Sequence, residues 1–147
     1  MSRLEEVLGA VLGALQPLAE AEGGPLVERN LDLPEALPAG GLVVLRDGTG
    51  QVLETYLLAP PVYLHERTAE IEIAVEGAAA ATRDAALDAI LVGIDAELAV
   101  DRTLGGLADW VEPGPPQTEG LITEGAPGVK GAMVPVIVTY SSDSALG

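Results

Sequence analysis

Between Ala69 and Val75 the chain alternates with a period of two. Ala69, Ile71, Ile73 and Val75 share one parity, while Glu70 and Glu72 share the other. A strand points successive side chains to opposite faces, so this pattern builds one buried face and one acidic, wet face. Such two-sidedness belongs to an antiparallel sheet with one side open to water, not to a parallel sheet covered on both sides. Val62 to Glu76 forms the full extended segment, with Tyr63, His65 and Arg67 continuing the apolar parity and Glu66 and Glu76 the acidic one.

Helical periodicity flanks this strand. Leu4, Val7, Leu8, Val11, Leu12, Leu15 and Leu18 recur at helical spacing, with Ser2 placed to cap and Glu5 three residues on. Pro17 predicts a kink or an end there, and Gly23-Gly24-Pro25 stops the helix. A second helix is expected from Thr82, as cap, to about Val100. Ala86, Leu87, Ile90, Leu91, Ile94 and Leu98 form its apolar face. Short strands are expected at 26–29, 42–46 and 108–112, with a last strand over 132–140. In that strand Val134, Val136, Val138 and Tyr140 share a face, and Pro135 marks an edge or a bulge. Asp47-Gly48-Thr49-Gly50 carries hairpin-turn chemistry, with residues 51–58 returning from it. Pro60 and Pro61 mark a corner, and 117–124 is a further strand candidate. The fold class expected is α+β: a mainly antiparallel sheet packed against two helices, in one domain over 1–147 with a loose tail at 141–147.

Composition narrows the chemistry. No Cys is present, which removes disulfides, thiolate metal sites and a cysteine nucleophile. No Phe is present either, so the core must be built from Ala, Leu, Val and Ile. Twenty-three acidic residues face seven basic ones, for a formal net charge of -16. Nucleic acid is held by Lys and Arg that release counterions, so such a surface repels DNA and anionic membranes alike. Glu5 and Glu6 replace the basic start of a secretory signal, and the uncharged run 7–19 is too short to span a bilayer. The sequence thus reads as a soluble product.

Four features are candidates for chemistry. His65 is the sole histidine, and the serines lie only at 2, 141, 142 and 144, with no nucleophile-elbow sequence around them. No glycine pattern makes a phosphate loop. Glu66, Glu70, Glu72 and Glu76 line one strand face. They read first as a solvated or interface surface, with a divalent-cation site or an acid/base pair as the alternatives. Trp110, after Gly105-Gly106, is a core or interface anchor, and the paired glycines permit a positive backbone angle, a close chain approach or a ligand loop. No catalytic residue, cofactor or metal is expected.

The segment Asp101-Arg102-Thr103-Leu104-Gly105-Gly106-Leu107, followed by Asp109-Trp110-Val111-Glu112, resembles the turn after the helix in tail terminator (tail-completion) proteins of long-tailed phages, prophages and gene transfer agents. Residues 42–48, 69–75 and 136–140 resemble that family's strands, and the likeness runs from about Arg3 to Tyr140. The resemblance implies a structural virion protein, commonly a hexameric ring, that is no enzyme. Such a ring caps the tail tube, ends tube polymerisation and joins the tail to the neck or stopper protein of the head. DNA would transit its lumen without specific binding, in a particle assembled in the bacterial cytoplasm. A neck stopper or tail tube subunit is the near alternative; a small carboxylate-site enzyme or binding domain is the alternative from another class.

Loops rich in turn formers are the natural contact elements of a ring. The expected assembly surface comprises Asp47 and Gly48, Asp101 and Arg102, Trp110, and Pro115, Pro116, Gln117 and Glu119 from the Pro/Gly-rich stretch 113–128.

Overall fold

In the computed structural model, which describes residues 1–118 and 128–147, the alternating strand sits at the centre of one sheet. The elements are α1 (Arg3–Glu20), β1 (Leu26–Arg29), β2 (Leu42–Tyr56), β3 (Val62–Glu76), α2 (Ala80–Val100), β4 (Trp110–Pro113) and β5 (Val129–Ser142). Sheet order is β1-β2-β3-β5-β4. Among the described residues only the β1–β2 pair is parallel and the other three are antiparallel, so the fold is α+β with a mostly antiparallel sheet.

Both helices cover one sheet face. Ala69, Ile71, Ile73 and Val75 meet Val7, Leu8, Val11 and Leu15 of α1 and Leu87, Ile90, Ile94 and Leu98 of α2 in a single core. From β5, Ala132, Val134, Val136, Val138 and Tyr140 join the same layer. Aliphatic side chains thus do most of the packing, with the Tyr140 ring among them.

The residues explain several departures from the sequence reading. The first helix runs through Pro17 to Glu20 without ending there. One lost backbone hydrogen bond is offset by packing: the Leu18 side chain lies where a Cβ on Gly93 of α2 would stand, so the last turn is held against the second helix. Ser2 caps α1 by accepting from the Glu5 N–H. Thr82 does not cap α2, which begins at Ala80 behind Ala79 with no side-chain cap.

The larger correction concerns residues 47–50. They do not turn the chain; β2 runs straight through them to Tyr56, and the turn falls at 57–61. Arg46 opposes Glu70 and Thr49 opposes Thr68, so one extra residue enters β2 and makes a bulge. Gly48 has φ +65° there, and a Cβ on it would stand 1.8 Å from the Thr68 carbonyl oxygen. The glycine serves a close strand approach, which mimics turn chemistry in the sequence.

Pro135 lies inside β5, between β3 and β4. Its carbonyl accepts from the Gly114 N–H on the β4 side, just past the last β4 pair, so the ladder to β3 is unbroken. The C-terminal residues are not loose. Ser141 and Ser142 complete β5, and the chain then folds back so that Gly147 is buried beside Tyr140 and Leu4.

Among the described residues no helix packs behind the sheet. The connection from β1 to β2 crosses this side, placing Leu33, Pro34 and Leu37 against Leu42 and Ala74. Leu42 and Val44 are therefore buried without belonging to the helix-side core. Past Arg46, β2 emerges from this cover, and Gly48–Tyr56 are exposed along the sheet edge.

Candidate functional site

Two features of the sheet stand out as functional surface: its uncovered acidic face and the exposed outer half of β2 with the turn beyond it. Glu66, Glu70 and Glu72 share the uncovered face, each half-buried, while Glu76 is exposed at the strand end. They do not converge on a common ligand point. Arg46 crosses from β2 and donates to Glu72 at 3.1 Å, and Gln51 donates to Glu66 at 3.2 Å. Among the described residues no group of three His, Asp or Glu stands ready to hold a metal ion.

Every cation in the chain is engaged internally. Arg3 pairs with Glu6, Arg46 with Glu72 and Lys130 with Asp84, while Arg83 donates to the Gly77 carbonyl. Arg67 donates to the Asp47 and Gly48 carbonyls, closing the bulge. Arg102 donates to the Val111 carbonyl and lies 5.8 Å from the centre of the Trp110 ring. All seven basic residues counted in the sequence, Arg29 included, are thus tied to partners in their own chain.

Arg29 was invisible as a key residue in the sequence. From β1 it forks to both oxygens of Glu5 on α1, at 2.5 and 3.0 Å, and to both oxygens of Asp47 in the bulge, at 2.8 and 3.0 Å. Asn30 adds a bond to Asp47 at 3.1 Å. Hydrogen bonds from the guanidinium hold the Glu5 and Asp47 carboxyls below their ordinary values of 4.5 and 3.8, and raise Arg29 itself. Asp47 accordingly links three elements and lies in a strand bulge, not in the turn expected from sequence.

Groups with depressed folded values stabilise fully above their unfolded values and lose that contribution as pH falls through the folded ones. Stability is therefore expected to decline as pH drops below about 4.5, the ordinary glutamate value. Arg29→Ala is expected to lower Tm by a few degrees at pH 7 and to flatten the acid limb. Thermal melts from pH 7 to pH 2 check this; equal slopes in both proteins would contradict it.

Asp101 also turns inward. Its carboxylate accepts from the Thr103 N–H and hydroxyl and from the Gly105 N–H, at 2.7 to 2.9 Å. These bonds, Thr103 foremost, lower the Asp101 carboxyl and close the turn after α2. Gly105 and Gly106 adopt φ +70° and +89° with open space around them, so they serve the turn and not a close approach. Trp110 is half exposed on the uncovered sheet side with Arg102 against it, which makes it surface and not core. Pro115 and Pro116 are exposed after β4, and Gln117 bridges to Met133. Glu119, and most of the strand expected at 117–124, lie outside the described residues.

His65 meets a serine after all. Its ring is buried, stacks on Tyr140 with centroids 4.9 Å apart, and brings Nε2 to 2.9 Å from Ser142 Oγ and 3.0 Å from the Ser144 carbonyl. A carbonyl only accepts, so Nε2 carries the proton and donates. Ser142 Oγ in turn donates to the same carbonyl at 2.7 Å. A base must accept the proton of its nucleophile, so this arrangement fastens the C-terminal segment and does not activate Ser142.

Sequence reasoning marked the corner at Pro60 and Pro61 but passed over the leucines that lead into it. Leu57 is 93% exposed and Leu58 65%, with Tyr56 about half exposed beside them. The signal was present as a leucine pair at a proline corner, where a solvated turn would carry polar residues.

No protein-family model matches the chain, and no curated protein matches it. Among the described residues no helix is long and apolar enough to cross a membrane.

Proposed function

We propose that the chain is a structural tail-completion protein. It forms a ring, commonly of six copies in the family it resembles, that caps a tail tube and joins it to the neck of a phage or gene transfer agent head. The observation carrying this reading is the asymmetry of the sheet. Helices cover one face, while the other presents Glu66, Glu70 and Glu72, of which Glu72 is paired with Arg46 and the other two face no cation among the described residues. A wall of that kind repels phosphates along its length and lets DNA pass without sticking. The exposed edge of β2 and its apolar turn suit contacts with neighbouring subunits, since edges left open invite pairing. On this reading the chain performs no chemistry, and His65 serves the fold.

Removing the gene from the producing strain tests the proposal. Particles with overlong tails, or tails without heads, are expected by electron microscopy; normal tails joined to heads would refute it. Free double-stranded DNA is expected to bind negligibly at physiological salt. A tight, salt-sensitive shift in a mobility assay would overturn the non-sticking channel.

A further inference from the structure

The exposed turn has a complement on the same chain. Behind the sheet lies a cavity of about 330 Å3 lined mainly by Leu33, Pro34, Leu37, Leu42, Ala74 and Val129. We infer that the Tyr56–Leu58 turn of one copy seats in this cavity of the next copy, making a head-to-tail contact between subunits.

Three observations support a second copy as the occupant. First, the turn and the cavity lie at opposite ends of one stiff pair of strands. Tyr56 pairs with Val62 at one end and Leu42 with Ala74 at the other. The partner strand takes twelve steps from Val62 to Ala74, roughly 40 Å at a strand's rise, so a chain cannot fill its own cavity with its own turn. Second, the turn is free of charge in a chain of net -16: residues 55–64 contain no Asp, Glu, Lys or Arg, while the cavity carries Glu35 and Glu72 beside its apolar lining. A neutral turn can enter that cavity without setting a second carboxylate against Glu35 or Glu72, in copies that repel each other through most of their surface. Third, a knob at one end and a socket at the other is a heterologous contact. Repeated by rotation it closes a ring, whereas a self-complementary patch would stop at a dimer. The inference rests on the ring reading above and names the contact that builds the ring.

The natural absence of cysteine makes the test clean. Leu57→Cys and Leu37→Cys are introduced singly and together, and oxidised. Because one chain cannot span the distance, any 57–37 disulfide joins two chains. The double variant is expected to give covalent multimers, and the two single variants mixed should give covalent dimers that neither forms alone. Self-dimers of Leu57→Cys as abundant as the mixed pairs would overturn the inference.

The second arm is Leu57→Asp with Leu58→Asp, checked for an unchanged circular dichroism spectrum and sized by light scattering. It is expected to shift the assembly to single chains. Raising the salt screens the net charge, so wild-type assembly should strengthen between 0.1 and about 1 M salt, where the screening length falls from about 10 to 3 Å. If the wild type assembles while the cysteine variants give no 57–37 cross-link and the double Asp variant still assembles, the knob-and-socket contact is refuted while the ring stands. If the wild type stays a single chain at every salt and the cysteine variants never cross-link, both fall.

Discussion

Replacing Gly48 by valine is expected to cost about 3–5 kcal/mol, a large share of the roughly 5–15 kcal/mol that holds a domain together. Two effects combine. The residue sits at φ +65°, where a β-branched side chain is strained, and its Cβ would lie 1.8 Å from the Thr68 carbonyl oxygen. That oxygen is backbone of the central strand and cannot rotate away, so the bulge must open and release the Arg67 bonds that close it. Gly9, exposed in α1 with nothing near its missing Cβ, is the contrast: Gly9→Ala should stabilise by about 0.5–1 kcal/mol. Urea unfolding of both variants checks the pair, and a Gly48→Val protein as stable as wild type would place the bulge elsewhere.

The second large effect lies one strand away. Ile71→Ala is expected to cost about 2–5 kcal/mol, because Ile71 is fully buried in the helix-side core and its removal leaves a cavity. Glu70→Ala, its immediate neighbour, should change stability by no more than about 0.5 kcal/mol. Comparing denaturation midpoints at equal slope separates the two. Equal losses would mean that the sheet has no wet face.

That contrast was legible in the sequence. Alternation over 69–75 gave the parity of the central strand, and helical spacing gave the buried stripes of α1 and α2, because both patterns are local. What was lost was decided by distant neighbours. Asp47-Gly48-Thr49-Gly50 has the composition of a turn, and only the partner strand, with Thr68 pressed against Gly48, makes it a bulge. The corner at Pro60 and Pro61 was marked, but reading 51–58 as a strand returning from 47–50 hid the exposure of Leu57 and Leu58. Arg29 joins residues 5 and 47, and no local pattern announces such a link. The partners of His65 come from the far end of the chain, which no local pattern announces.

The candidate site divides along the same line. The acidic row was readable because strand parity alone sets it. Asp47 and Asp101 looked available for partners because their charge is visible in the sequence while the groups that engage it are not: Arg29 for the first, the backbone of its own turn for the second. Exposure of the leucine turn depends on how far β2 outruns the cover behind it, which is a tertiary property.

The most direct test of the ring is the mass and shape of the purified protein in native mass spectrometry and negative-stain microscopy. A single chain weighs 15.0 kDa. Closed rings with an open centre, at a fixed whole-number multiple of that mass and strengthened by salt, are expected. A protein that remains at 15.0 kDa at every concentration and salt, with no ring in the micrographs, would contradict the account.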